Sequence, residues 1–223
     1  MKPLILARPE PGNRASAQAA HARGLDVIAS PLFTINNLEW NVDNSISYDG
    51  IFLTSANAIL NAGQGLVALR HLPVFAVGPT SEAAARAAGF TQIIAGDSNG
   101  AALAQLAVAH GARHLLHLAG DPFKPIHHTD LSFDVVKVYE TRELPPSQAL
   151  LDALAAPAVL LAHSPRMARR LAELSRAPHE IDLVTISEAT AAAAGTGWKS
   201  ITWPDTPDTT AMLDIATLLC RAA

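Results

Sequence analysis

Hydroxyl side chains recur where a predicted strand turns into a predicted helix. Each can accept a hydrogen bond from an unpaired backbone N–H of the first helical turn, and for any one of them capping is the simplest interpretation. Ser164 suits it well, because Pro165 follows at the first helical position. As a set they indicate more, since free N–H groups at the carboxyl ends of parallel strands bind carboxylates or phosphates. The residues concerned are Ser55, Ser81, Ser164 and Thr190.

Tyr139, in the segment VVKVYETR, offers a different chemistry. A tyrosine in an extended segment is commonly a half-buried strand residue, and that interpretation stays open. A phenol with a pKa of about 10 can also protonate a leaving hydroxide at neutral pH. The segment has the character of a connector between domains, which would direct the phenol towards a cleft between them.

The chain has nine histidines, which raises the question of a metal site. The densest group is His114, His117, His127 and His128. The first two lie three residues apart on a predicted strand and therefore on opposite faces of it. No His-Glu-x-x-His or Cys/His ligand pattern occurs, so we predict no metal and expect surface or loop histidines.

Sequence signatures of the common nucleotide and cofactor sites are absent. The chain has no G-x-x-x-x-G-K-[ST] loop, no G-x-G-x-x-G fingerprint and no G-x-S-x-G elbow. The single cysteine, Cys220, excludes an intrachain disulfide and favours a reducing compartment. We expect it to be a small packed side chain in a helix.

Charge and hydropathy exclude two classes of partner. Formal net charge is −4 and no basic run exceeds Arg169-Arg170, so a nucleic-acid role is not expected. Local arginines and helix N-termini still suit an acidic small molecule. Apolar runs such as AVLLA are far shorter than the roughly 20 residues that span a bilayer. Met1-Lys2-Pro3 leads into a strand instead of a signal peptide, and we expect a cytoplasmic protein.

The chain repeats itself at a spacing of 109 residues. A weaker sequence similarity relates residues 4–10 to residues 115–121. Two copies of one unit would face each other across a cleft with similar walls, which suits a large pseudo-symmetric ligand. In the repeat, Thr54-Ser55 aligns with His163-Ser164, Gly78 with Ser187, and Ser81 with Thr190.

Strands alternate with Ala-rich helices, which predicts α/β architecture with parallel sheets. Two extended stretches, 30–48 and 134–147, interrupt the alternation. A simple tandem needs one connector, so two connectors indicate that the chain leaves the first domain, builds the second and returns. Predicted strands cover 3–8, 25–29, 50–54, 73–77, 91–95, 114–118, 134–140, 158–162, 182–186 and 199–203. Predicted helices cover 12–23, 56–70, 81–88, 99–110, 165–175, 188–194 and 208–221.

Taken together, these segments resemble uroporphyrinogen-III synthase over nearly the whole chain. No single motif is highly specific, but their order and spacing together are fairly specific. The motifs are LARPEP near the start, FLTSANAI at 52–59, V-G-x-x-[ST] at 77–81, VYET at 138–141, Ser164-Pro165, Thr190-Ala191 and P-x-T-x-x-x-L from Pro207.

The resemblance implies two similar α/β domains with parallel, flavodoxin-like sheets, joined by a two-stranded β-ladder. Residues 1–34 with 145–223 would form one domain and 37–134 the other. Residues 30–36 and 135–144 would form the connecting ladder. This chain path agrees with the two connectors.

The resemblance also implies cofactor-free cyclisation of hydroxymethylbilane, a linear tetrapyrrole with eight carboxylates, to uroporphyrinogen III. The last ring is inverted through a spiro intermediate. The enzyme must assist loss of the hydroxyl, fold the substrate and exclude water. A monomer that receives the bilane from hydroxymethylbilane synthase is expected. Tyr139 is the implied general acid. The implied substrate-binding residues are Arg8, Thr54, Ser55, Ser81, Gly120, Lys124, Ser164 and Thr190.

Two positions depart from the family pattern. Ser187 replaces the glycine that usually begins the second turn, and an arginine often found soon after Gly120 is missing. Lys124 or the pair His127-His128 would take over carboxylate binding. These departures support one alternative, a non-catalytic two-domain protein that binds a tetrapyrrole or an anionic metabolite. A sugar- or nucleotide-transferring enzyme is a third hypothesis, although the chain lacks a phosphate loop.

Overall fold

A computed structural model describes residues 1–43, 46–96 and 99–222. The strands are β1 (Leu4–Leu6), β2 (Val27–Ala29), β3 (Phe33–Asn37), β4 (Gly50–Leu53), β5 (Val74–Val77), β6 (Ile93–Gly96), β7 (His114–Asp121), β8 (Ser132–Glu143), β9 (Ala158–Ala162), β10 (Ile181–Thr185) and β11 (Ser200–Thr202). The helices are α1 (Gly12–His21), α2 (Ala56–Asn61), α3 (Gly78–Ala87), α4 (Gly100–Ala109), α5 (Gln148–Ala153), α6 (Pro165–Leu174), α7 (Glu188–Ala194) and α8 (Thr209–Arg221). The prediction of mixed α/β architecture with parallel sheets is confirmed.

The chain divides into two compact units. Unit 1 comprises Met1–Thr34 and Arg142–Ala223, and unit 2 comprises Ile35–Thr141. Both boundaries fall inside strands, the first in β3 and the second in β8. Each unit is therefore described by itself.

Unit 1 is a parallel sheet covered by helices on both faces. The strand order is β11-β10-β9-β1-β2, and every adjacent pair is parallel. Successive strand residues point to opposite faces. Val159 and Leu161 accordingly pack with α1 and α8, whereas Leu160 and Ala162 pack with α5, α6 and α7. Cys220 of α8 is fully buried in the first of these layers, and burial raises the pKa of its thiol to about 11.

Unit 2 repeats this three-layer plan. The sheet order is β3-β8-β7-β4-β5-β6, and the pairs from β8 to β6 are parallel. Ile51 and Leu53 face α2 and α3, and Phe52 faces α4. The carboxyl ends of β4, β5 and β7 thus lie at one edge of the sheet, where parallel α/β units bind ligands.

Three elements differ from the sequence-based expectations. The helix predicted over 56–70 ends at Asn61, because Gly63 adopts a left-handed φ of +65° and a 3-10 turn follows over Gly63–Leu69. The helix predicted from residue 81 begins three residues earlier, at Gly78. A short helix directly after the second extended stretch, α5, was not predicted; the Ser147 hydroxyl caps it.

No helix in the described ranges combines the length and apolarity that crossing a bilayer requires.

Candidate functional site

A cavity of about 620 Å³ lies at the carboxyl edge of the sheet in unit 2. This volume is within the range of small-molecule sites, about 300–1,000 Å³. Four of the predicted residues line it: Thr54, Gly120, Lys124 and Tyr139. The start of α4 and the segment from Pro122 to His127 complete the wall. The roles of the four residues stay predictions, but the fold does bring them together.

A β-bulge aims Tyr139 at this cavity. The register of β7 and β8 shifts so that Ala119 faces Lys137 while Gly120 faces Tyr139, which leaves Val138 as the extra residue. Consecutive strand residues ordinarily point to opposite faces, yet Val138 and Tyr139 pack in the same cluster. The bulge is therefore the local cause of the orientation of the phenol ring.

Glycine is the only residue type that fits beneath that ring at position 120. A Cβ placed on Gly120 would lie 2.6 Å from the hydroxyl oxygen of Tyr139 and would also collide with the ring carbons. A side chain at this position would have to displace the tyrosine. Gly120 thus positions Tyr139, whatever it contributes to ligand contact.

Thr54 and Ser55 end β4 and begin α2. The Ser55 hydroxyl accepts a hydrogen bond from the backbone N–H of Asn57 at 3.2 Å, so the capping interpretation is confirmed for this residue. The Thr54 side chain lines the cavity, and its Oγ1 lies 3.5 Å from Nε2 of His117.

His117 contradicts the expectation that the histidines lie at the surface or in loops. It is only 1% exposed, and Phe52, Phe123 and Phe133 surround its ring. Burial lowers the pKa of its imidazole to about 4, which keeps the ring neutral at pH 7. The sequence carried one signal for this: His117 alternates with the apolar residues of a strand, on the face shared with Leu115.

Lys124 and His127 both line the cavity. His128, in contrast, accepts a hydrogen bond at Nδ1 from the backbone N–H of Asp130, which engages it in a local turn. Among the residues described here, no group of His, Cys, Asp and Glu is arranged to hold a metal ion. Lys124 is exposed and supplies a cation at the wall of the cavity.

Ser81 does not cap a helix, so that interpretation is wrong. Helix α3 begins at Gly78, whose φ of +72° accommodates the turn, and it has no side-chain cap. Ser81 falls in the first turn, 3% exposed, and is not part of the cavity wall.

Arg8 stands just beyond β1 in unit 1. Its Nη1 donates to Ser16 Oγ at 3.4 Å and to Thr209 Oγ1 at 3.2 Å. Burial lowers the pKa of the guanidinium. Within the described part of the chain, no acidic side chain forms an ion pair with Arg8. A partly buried arginine held only by hydroxyls has capacity for an anion.

The turn after β9 in unit 1 holds His163 and Ser164. The Ser164 hydroxyl caps α6 by accepting from the backbone N–H of Met167 at 3.2 Å, as predicted. Both ring nitrogens of His163 are buried without a hydrogen-bond partner in the described structure. Burial and the nearby Arg8 charge lower its pKa to about 3. His163 was not among the predicted site residues, although its alignment with Thr54 marked the position.

Thr190 is likewise not a cap. Ser187 caps α7, accepting from the backbone N–H of Thr190 at 3.4 Å, and the two hydroxyls lie 3.2 Å apart. Thr190 is therefore inside the first turn and 1% exposed. The serine that replaces the usual family glycine takes over the capping role, a role that sequence reasoning missed.

The chain is similar to known proteins in sequence pattern and in fold. The family model described as "Uroporphyrinogen-III synthase HemD" matches residues 14–214. No curated protein matches the chain. The structure is similar to uroporphyrinogen-III synthetase from Helicobacter pylori 26695, with a TM-score of 0.67, 14% identity, and coverage of 98% of this chain and 100% of that one.

A mutant uroporphyrinogen III synthase from the extremely thermophilic bacterium Thermus thermophilus is similar with a TM-score of 0.62 and 13% identity, covering 98% of each chain. At such identities these structures show the fold. The family match spans most of the chain, and it carries the assignment: the protein belongs to the HemD family of uroporphyrinogen-III synthases, cyclising lyases of tetrapyrrole biosynthesis.

Proposed function

We propose that this enzyme closes hydroxymethylbilane to uroporphyrinogen III without a cofactor, inverting the last ring through a spiro intermediate. The observation that carries the proposal is the 620 Å³ cavity of unit 2, which unites Tyr139, Thr54, Gly120 and Lys124. It offers a proton donor, a hydroxyl and a cation around one ligand-sized space. The substrate supplies the matching groups, namely a leaving hydroxyl and carboxylates.

Tyr139 is the general acid in this proposal. The bond from the terminal hydroxymethyl carbon to oxygen breaks, and the oxygen leaves as water after taking the phenolic proton. The substituted carbon of the last ring, at the other end of the tetrapyrrole, then attacks the electron-poor carbon that the hydroxyl has left. Tyr139 is buried in an apolar cluster of unit 2, which limits competing attack by water.

The carboxylates of the substrate require separate partners. Lys124 faces the cavity in unit 2, and Arg8 in unit 1 lacks an acidic partner among the described residues. Ser55, Ser164 and Ser187 fix the starts of α2, α6 and α7, and the free N–H groups of these helix starts are further donors. Ser81 and Thr190 would act through the local structure of their turns, since both are buried.

The proposal also covers the connection between the domains, the compartment and the partner enzyme. We propose that β3 and β8 form the connecting ladder of two flavodoxin-like domains, since both unit boundaries fall inside these strands. We also propose a monomer that receives the bilane from hydroxymethylbilane synthase. Its single free cysteine supports a reducing compartment such as the cytoplasm.

The decisive experiment supplies the purified protein with freshly prepared hydroxymethylbilane and separates the oxidised porphyrin isomers. Isomer III in excess over the spontaneous reaction is expected. Isomer I alone would refute the proposal. Tight binding of the product by a protein that forms only isomer I would instead establish the non-catalytic alternative.

A further inference from the structure

His117 is an unusual residue for its surroundings. Its ring centroid lies 5.3 Å from that of Phe52, 5.8 Å from Phe123 and 6.1 Å from Phe133. A neutral imidazole keeps one N–H donor and one lone-pair acceptor. Burying either without a partner costs about 1–3 kcal/mol. A phenylalanine or leucine would fill this space without that cost, so the imidazole needs a reason to be there.

Thr54 supplies the polar contact that the ring makes. The strands β4 and β7 pair Phe52 with His117, which places Thr54 two residues closer to the carboxyl edge. The Thr54 Oγ1 lies 3.5 Å from Nε2 of His117, slightly beyond the usual range of a hydrogen bond between nitrogen and oxygen. Bonds of this kind are often long in unliganded enzymes and shorten when the ligand binds.

The other branch of Thr54 is held from the opposite side. A Cβ placed on Gly100 would lie 3.4 Å from the Thr54 methyl carbon, so the methyl group faces the start of α4. A β-branched side chain has few χ1 rotamers, and these two contacts select one. The hydroxyl is thereby turned to His117 while the side chain still lines the cavity.

We propose that His117 is a positioning residue that fixes the Thr54 hydroxyl for the tetrapyrrole bound in the cavity of unit 2. The inference rests on the proposed function, because the ligand is the one assigned there. A threonine hydroxyl has one donor and two acceptor positions. The imidazole engages one of these, whichever ring tautomer is present, and the others remain for the ligand.

The same ring also stabilises the wall of the cavity. Phe123 lies on the segment that closes the cavity, and it stacks edge-on against His117. Ile126 of that segment packs against Gly100, where any added Cβ would collide with it. A phenylalanine at position 117 would keep this packing and remove only the hydrogen bond to Thr54.

The test is a double-mutant cycle on turnover of hydroxymethylbilane, with kcat, KM and the share of isomer III measured for each variant. His117→Phe and Thr54→Val should each lower kcat about fivefold, the equivalent of one neutral hydrogen bond, with a smaller change in KM. The double variant should be no slower than Thr54→Val alone, because the histidine acts through the threonine. His117→Gln, which can still hydrogen-bond, should recover part of the loss.

The matched control is His114→Phe. His114 lies on the same strand, stacks on Tyr48 and approaches Asp134, away from Thr54, so its replacement should leave turnover unchanged. A His117→Phe variant with wild-type turnover and an unchanged share of isomer III would overturn the inference. So would losses that multiply to about 25-fold in the double variant.

A second measurement does not depend on turnover. The ring ¹⁵N chemical shifts of His117 report its tautomer and hydrogen bonding, and they should change in Thr54→Val. Unchanged shifts would overturn the inference even in a protein that makes no isomer III. A protein that makes only isomer I but shows the shift change would refute the proposed function and leave the contact between the two side chains established.

Discussion

At the first pair of repeated turns, Ser55 in unit 2 and Ser164 in unit 1 cap their helices with the same kind of side-chain bond. The residues just before them differ. Thr54 is exposed, lines a cavity and approaches His117, whereas His163 buries two ring nitrogens that have no partner in the described structure. At this pair of turns the repeat thus preserves the residue that caps the helix and changes the residue before it.

The second pair of turns shows the reverse: the helix caps differ and the buried hydroxyls near them are kept. Gly78 begins α3 with a left-handed φ and no side-chain cap, whereas Ser187 begins α7 with one. Ser81 and Thr190 are buried in the first turns of both helices. Buried polar groups without partners are rare in folded proteins. We therefore expect mutations at the edge of unit 2 to cost activity, and one mutation at the edge of unit 1 to increase stability.

The largest effect is expected from Tyr139→Phe. Loss of a general acid typically lowers the rate of the chemical step by about 100-fold or more, and the retained ring should preserve the fold and product binding. Single-turnover kinetics with hydroxymethylbilane measure it. Tyr48→Phe is the control, because the Tyr48 hydroxyl donates to Asp134 at 2.9 Å and lines no part of the cavity. Unchanged turnover in Tyr139→Phe would make water in the cavity the donor.

Gly120→Ala should separate the position of Tyr139 from its chemistry. The added methyl group collides with the phenol ring, and overpacking of this kind costs about 1–3 kcal/mol of unfolding free energy. Urea denaturation gives the stability and the isomer assay gives the activity, and both should fall. Gly96→Ala is a milder control, since the nearest atom to its Cβ would be the flexible end of the Leu103 side chain at 3.1 Å, and the next ones lie at ordinary contact distance. Equal stability losses in the two variants would argue against a tight fit at Gly120.

The smallest expected effect has the opposite sign. His163→Phe removes two unpartnered buried nitrogens and should raise the free energy of unfolding at pH 7 by about 1 kcal/mol. His179→Phe, at an exposed position of the same unit, should change it little. A destabilised His163→Phe variant would show that the ring nitrogens make hydrogen bonds in solution.

The stability that His163→Phe gains over the wild-type protein should be larger in mild acid. The pKa of His163 is lowered from 6.5 to about 3 in the folded protein, so between these two values the unfolded chain binds a proton that the folded chain does not. The free energy of unfolding of the wild-type protein accordingly decreases as the pH is lowered through this interval, and that of the variant should decrease less. Thermal unfolding at neutral pH and in mild acid makes the comparison. His117 contributes a similar fall to both proteins.

Local signals made the alternation of strands and helices predictable, and with it the caps Ser55 and Ser164. Both serines stand directly between a buried strand and an Ala- or Arg-rich helix, and a serine at this position is by itself a strong signal for a helix start. The capping interpretation of Ser81 and Thr190 failed because α3 begins three residues before Ser81 and α7 begins two residues before Thr190, where Gly78 and Ser187 form the helix starts.

The features that could not be predicted depend on contacts between residues that are distant in the sequence. The bulge that aims Tyr139 depends on the register of β8 against β7, which no pattern within either strand specifies. The burial of His117 depends on Phe123 and Phe133, which come from different segments of the chain. A histidine on a strand is visible in the sequence, but its aromatic neighbours are a property of the fold.

Cys220 offers a practical consequence. It is the chain's sole thiol, it is fully buried in α8, and the thiolate needed for alkylation is scarce at a pKa of about 11. Maleimide dyes and spin labels should therefore leave the native protein unmodified. A cysteine introduced at an exposed apolar position, such as Val67 or Leu218, would carry a single label without prior removal of the natural thiol. The protein is in this respect ready for site-specific spectroscopy.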